Sequence, residues 1–254
     1  MMHLAVEPGE VTNLERIFGL EQTDETPEPG PEIFSIRKVR ISNFRFRLNN
    51  FCEATAEWPG YGINYDDIDL TTDMNGHSLR FAGGRMYGVA DKVTLTEKSG
   101  YRLLRASGRC VAGQGKTLVE NFRLTDPWSQ LNVKSFSMTY ENSASFEDFI
   151  GKVLMECELR PSMIGIPTLK YLAGILDGID SELEVRGGRF RGYVNDFSLS
   201  DFDFKDKESG ISGRIGGNAI GFPDTEHMLA SLRIEGLKFN TSSLSGVLAE
   251  WLPY

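Results

Sequence analysis

Phe197–Ser198–Leu199–Ser200–Asp201–Phe202–Asp203–Phe204 alternates apolar and polar residues, loses step once at Ser200–Asp201, and then resumes. Alternation with period two marks a β-strand, because successive side chains leave on opposite faces. A plain strand would send Phe197 and Leu199 to one side and Phe202 and Phe204 to the other. One extra residue at the double-polar step, a β-bulge, returns all four to the same side. The competing reading is two short strands joined by a bend. The same spacing recurs at Val39–Ile41–Phe44–Phe46, Ile63–Tyr65–Ile68–Leu70, Leu131–Val133–Phe136–Met138 and Leu232–Ile234–Leu237–Phe239. These windows predict a mainly β fold. Bulges accompany strongly curved sheets, so the expected architecture is an elongated, curved antiparallel sheet shaped as a groove, with one or two short helices.

Composition agrees. The 254 residues include 27 Gly and 16 Phe, which suits many strands joined by tight turns. A formal net charge of −9 argues against a duplex nucleic-acid binder, whose phosphate contacts need clustered Lys and Arg. The basic run Arg37–Lys38–Val39–Arg40 alternates with apolar positions and reads as a solvated strand face. Cys52, Cys110 and Cys157 are far apart, with no CxxC pair, so they suggest neither a disulfide framework nor a zinc site. Packing residues are the expectation for them, with one bridge left open. No stretch approaches the roughly 18 consecutive apolar residues of a membrane span, and Met1–Met2–His3 does not begin a secretory signal.

Residues 1–32 stand apart: eight carboxylates and Pro27, Pro29 and Pro31 give an acidic, largely flexible linker. Thr12 to Leu20 within it has the spacing of a short amphipathic helix. Residues 33–254 read as the β-rich body. Leu79, Gly83, Gly84, Arg85, Gly88 and Leu95 match Leu183, Gly187, Gly188, Arg189, Gly192 and Leu199 at one offset of 104 residues. This points to two related blocks, about 33–140 and 141–254, or simply to two Gly-Gly turns of one type. Short helices are expected at Ser145 to Val153 and at Thr168 to Leu176, the second ended by Gly178.

Catalytic patterns are thin, and the expectation is a chain without enzymatic activity or cofactor. Gly113–Gln114–Gly115–Lys116–Thr117 resembles the end of a phosphate loop, but Cys110 stands where that loop needs Gly, so a hairpin turn is expected. His3, His77 and His227 fall in no metal spacing, and no GxSxG elbow occurs. Asp66–Asp67–Asp69–Asp73 and Asp196–Asp201–Asp203–Asp206 lack the EF-hand spacing and sit mostly on the polar side of the strand pattern.

Gly210–Ile211–Ser212–Gly213–Arg214–Ile215–Gly216–Gly217 leads into Gly221–Phe222–Pro223–Asp224–Thr225, and then into the strand from Leu232 to Thr241. This order resembles the TamB branch of the AsmA-like superfamily, in its Bacteroidota form. Ile36 to Leu48, Gly62 to Leu70, Phe81 to Gly88 and Phe146 to Ile150 are similar too, so the resemblance runs from about Ile33 to Tyr254. It implies a section, from the N-terminal portion, of a long periplasmic protein with a β-taco trough. Such a protein is anchored in the inner membrane and reaches the outer membrane. It takes part in outer-membrane protein assembly and in moving phospholipid. The membrane anchor and the domain that meets the outer-membrane partner are expected to lie outside this chain.

Phospholipid acyl chains are the expected partner, and Phe44, Phe46, Val133, Phe136, Met138, Phe202, Phe204, Ile234, Leu237 and Phe239 are the expected groove lining. The gain for acyl chains is roughly 0.8 kcal/mol per buried CH₂ and needs no specific residue. Two other readings stay open. The same residues fit the closed core of a structural or adhesive β module. A carbohydrate-active β-solenoid would instead need Asp201, Asp203 or others paired in a cleft.

Overall fold

The computed structural model describes residues 2–7, 11–12, 34–50, 61–113, 115–146, 148–173, 181–222, 224 and 227–239. They form fourteen strands: β1 (Met2–Glu7), β2 (Val11–Thr12), β3 (Phe34–Asn50), β4 (Asp67–Ala82), β5 (Arg85–Glu97), β6 (Arg102–Gly113), β7 (Lys116–Thr125) and β8 (Gln130–Thr139), then β9 (Leu154–Leu159), β10 (Ser162–Gly165), β11 (Glu182–Gly192), β12 (Asp196–Asp206), β13 (Ser212–Ile220) and β14 (Leu229–Lys238). A turn of 3-10 helix covers Ser143–Phe146. Two short α-helices follow, α1 (Phe149–Lys152) and α2 (Ile166–Ala173). Among the described residues, no helix is long and apolar enough to cross a membrane.

All fourteen strands belong to one elongated, curved sheet. From β3 to β8 each strand pairs with the next in sequence, as do β11 to β14. Between β8 and β11 lie β9 and β10, which share one strand position, β9 along one half and β10 along the other. Every pair is antiparallel except β1 with β3. From β4 to β8 the meander is joined by short connections, as antiparallel neighbours allow. Gly83 and Gly84 make the two-residue turn from β4 to β5 with φ of 55° and 66°, the left-handed pair that matches strand twist in a tight hairpin.

The bulges fall at the double-polar steps. In β3 the register slips between Ile41 and Phe44, at Asn43 with φ of 52°. Val39, Ile41, Phe44 and Phe46 consequently face Gly76, Met74, Thr72 and Leu70, every second residue of β4. In β12 the slip lies between Leu199 and Phe202, at Asp201 with φ of 54°. Asn121 in β7 and Gly236 in β14 adopt the same left-handed conformation, with φ of 50° and 61°. A short polar side chain or Gly tolerates that region best, which explains the residues found there.

Two expectations are corrected. Ile63 and Tyr65 are not in a strand: Asn64 accepts the Asp66 amide in an Asx turn, and the Ile63 amide bonds the Tyr171 carbonyl of α2 at 2.9 Å. Gly187 and Gly188 lie inside β11, whereas Gly83 and Gly84 form a turn, so the 104-residue offset joins unlike structures. Of residues 1–32, Met2–Glu7 and Val11–Thr12 are described as β1 and β2, and β1 adds to the half of β3 from Phe46 to Asn50, while the other residues of the expected linker lie outside the described residues. The helix expected from Thr12 to Leu20 lies outside the described residues, apart from Thr12 in β2. The two other expected helices correspond to α1 with its preceding 3-10 turn and to α2, which begins two residues earlier than expected, while residues 174–180, Gly178 among them, lie outside the described residues.

Candidate functional site: one apolar face across the sheet

Register alone builds the site. Reading straight across eleven strands, Phe34, Phe81, Met86, Ala112, Thr117, Met138, Met155, Gly192, Phe197, Ala219 and Ala230 stand side by side. One pleat further along, Gly88, Cys110, Val119, Phe136, Cys157, Phe190, Leu199, Gly217 and Leu232 form a second row. Leu79, 3.5 Å from the place of a Gly88 Cβ, and its partner Ile36 extend it. Across the bulges a third row holds Ile41, Met74, Val93, Ala106, Leu124 and Leu131. At about 4.8 Å per strand the first row spans roughly 50 Å. Thr117 is the one polar residue in the three rows.

The face is half open. Large side chains such as Phe44, Phe136 and Phe202 keep part of their surface in solvent, and the largest side chains below 2% exposure among the described residues are only valines, Val153 and Val185. A closed sandwich interior would hide most of its large apolar groups. Here all described strands share one sheet, so no second described sheet seals the face. Burial deepens beside α2, where Val185 lies between Ser162 and Phe204.

The ten expected lining residues sort by depth. Val133 is buried; Phe44, Phe46, Phe136, Met138, Phe202 and Phe204 are half-buried; Ile234, Leu237 and Phe239 are exposed at 45 to 50%. Phe44 and Phe46, Val133, Phe136 and Met138, and Phe202 and Phe204 share the apolar face through the pairings above, as does Ile234 opposite Ile215. Leu237 joins them beside Gly213, and Phe239 follows the end of β14.

The opposite face carries most of the charges, and Asp67, Asp69, Asp73, Asp201 and Asp203 are engaged there, whereas Asp206 stands at the edge of the apolar face beside Leu183. Asp73 accepts the bulge amide of Asn43 at 2.7 Å. Asp67 meets Lys98, Asp201 meets Arg189, and Asp203 lies 3.8 to 3.9 Å from Arg214 and Arg186. Asp206 binds Ser181 and Ser209 at the β12–β13 turn. Asp69 receives Arg45 Nε and Nη2 at 2.8 and 2.6 Å and Arg47 Nε at 2.9 Å. The Arg45 hydrogen bonds, helped by both positive charges, hold the Asp69 carboxyl down at about 2. Its folded value is below the ordinary 3.8, so the stabilising contribution is present above that value and is lost as pH falls through about 2. Carboxyl NMR titration is expected to place Asp69 near 2, and Arg45→Ala to move it towards the ordinary carboxylate range. An unshifted titration in the wild-type chain would contradict the pairing.

One cluster was not visible in the sequence. Asp126 accepts the amides of Trp128 and Ser129 at 2.8 and 2.6 Å, the Thr168 hydroxyl at 2.7 Å and the Tyr101 hydroxyl at 3.3 Å. Ser129 and Thr168 also touch through their hydroxyls at 2.6 Å, and Tyr171 stacks on Trp128 at 5.3 Å. This network ties α2 to the β7–β8 turn. Burial, with the Asp126 carboxylate beside it, pushes the Tyr101 hydroxyl well above its usual range. Asp126→Ala would orphan several buried donors at about 1–3 kcal/mol each. The expected loss is about 3 kcal/mol, read as a lower urea midpoint with unchanged slope.

Cys110 and Cys157 are free, and they lie on the apolar face three strands apart in one lateral row. That is about 14 Å at ordinary strand spacing, well beyond disulfide reach. Burial raises both thiols, Cys157 to about 11, as expected of packing residues rather than nucleophiles. Cys52 lies outside the described residues.

Comparison with protein-family models, curated proteins and solved structures gives no match for the chain.

Proposed function

We propose that this chain is a section of a lipid-binding trough, in which phospholipid acyl chains lie along the apolar face while the charged face meets water. The observation that carries this is the row crossing eleven strands, apolar or glycine at every position but Thr117, with most of its large side chains part exposed. Contiguous apolar surface of this extent is rare on a soluble domain and marks a binding surface. Its roughly 50 Å length exceeds an extended acyl chain, and a single polar interruption, Thr117, suits a ligand that slides rather than docks. The resemblance to TamB-like proteins supports the same reading. It adds a setting, the periplasm of a two-membrane bacterium, with outer-membrane biogenesis as the process served. On this reading no chemistry is performed on the ligand and no cofactor is needed.

Organic extraction of the purified chain followed by mass spectrometry tests the proposal. Phospholipid near or above one molecule per chain is the expected result. A lipid-free extract, together with exclusion of a hydrophobic dye, would favour a closed-core adhesive or structural module instead.

A further inference from the structure

A depression of about 520 Å³ opens on the charged face, opposite the apolar one. It is lined by Arg37, His77, Arg80 and Arg109, with Tyr87 and Val89 beneath them. Arg80 is laid over the Tyr87 ring at 4.8 Å, which fixes the guanidinium plane at the rim. His77 is engaged by Asp91 at 2.9 Å, but no carboxylate lines the depression. Glu120, opposite Arg109 on β7, makes no ion pair with it within 4.0 Å. Elsewhere on this face arginines find acids: Arg45 and Arg47 share Asp69, and Arg189 takes Asp201.

A second observation is independent of that geometry. Residues 34–125 hold fourteen Lys or Arg against nine Asp or Glu, a net of +5 (14 − 9), in a chain whose total is −9. Several of those acids cluster at the far end of the strands, where Asp67 and Asp69 meet Lys98, Arg45 and Arg47. The end bearing Arg37, Arg80 and Arg109 is left positive. Planar guanidinium groups with free donors suit phosphate oxygens, which accept two parallel bonds.

We propose that Arg37, Arg80 and Arg109 form a binding site for a phosphate-bearing anion on the outer face of the sheet. This site does not depend on lipid occupying the apolar face, since the two lie on opposite sides of the sheet. The phosphate could be carried by a lipid headgroup at a membrane surface or by a free organic phosphate, and the two are separable.

The test uses the whole chain with two probes: vesicles of one part phosphatidylglycerol to three parts phosphatidylcholine, followed by sedimentation, and pyrophosphate followed by calorimetry. The triple variant R37Q/R80Q/R109Q is expected to weaken binding at least tenfold. K205Q/R233Q/K238Q, which removes the same charge from other exposed positions, is expected to leave it within twofold. Vesicle binding without pyrophosphate binding assigns a headgroup, whereas saturable pyrophosphate binding that displaces vesicles assigns a free phosphate compound. Binding of neither probe, or equal loss in both triple variants, overturns the site. Should circular dichroism show the first triple variant misfolded, Arg80→Gln alone serves, with at least threefold weakening expected and no change overturning the proposal.

Discussion

Val185→Asp is expected to remove most of the stability of the chain. Val185 has no solvent exposure and sits on the apolar face between Ser162 of β10 and Phe204 of β12, where the sheet is most deeply covered. A carboxylate there has no cation among those register partners and no water. An uncompensated buried charge costs about 3–5 kcal/mol, or the acid is forced to stay protonated at a similar cost. Domains of this kind hold about 5–15 kcal/mol in total, so the variant should unfold at low urea or fail to accumulate. Val185→Ala removes about two methyl equivalents and leaves a small cavity, for a loss of about 2 kcal/mol. The two variants together separate loss of contact from burial of charge. Equal urea midpoints for Val185→Asp and the wild-type chain would mean that this part of the face is not covered.

The second large effect concerns ligand. Phe136 and Met138 lie in adjacent apolar rows of β8, near the middle of the sheet, and both keep partial exposure. Glutamates at both positions can turn their carboxylates to solvent, so the fold should survive. Acyl chains lying across them would then pass beside charge. A penalty of about 1.4 kcal/mol is already a tenfold loss of affinity, and two charges against hydrocarbon exceed that. Phospholipid recovered from F136E/M138E is expected to fall at least tenfold, with an unchanged far-ultraviolet spectrum. The same double change on the other face, at Lys134 and Ser198, should leave recovery as it was. If lipid persists undiminished in F136E/M138E, it is bound somewhere other than the apolar face.

Much of the architecture was legible because its cause is local. Period-two alternation with one lost step needs only neighbouring residues, and Asn43, Asp201 and Gly236 adopt the left-handed conformation that such a step requires. The errors share an origin as well. Ile63 and Tyr65 imitate the pattern, yet Asn64 turns the chain and α2 receives it, a contact across more than a hundred residues. The Gly-Gly pairs match as text while one makes a turn and the other lies flat in β11, beside Phe202, which leaves no room for a Cβ at Gly188. The Asp126 network has no local signature, because its partners Tyr101 and Thr168 lie 25 and 42 residues away. Nor could Arg37, Arg80 and Arg109, on three separate strands, be grouped before β3 to β6 were placed side by side.

By itself the sequence determined that this is a β protein whose bulged strands keep their apolar residues on one side. The alternation and the step-correcting residues are properties of short segments, and they act whatever the partner strand. Only the tertiary structure decided that those sides join into one half-open face about eleven strands wide, covered near α2 and backed by charge. Lateral register depends on hydrogen bonding between segments distant in the chain, and no local pattern specifies which strand stands beside which.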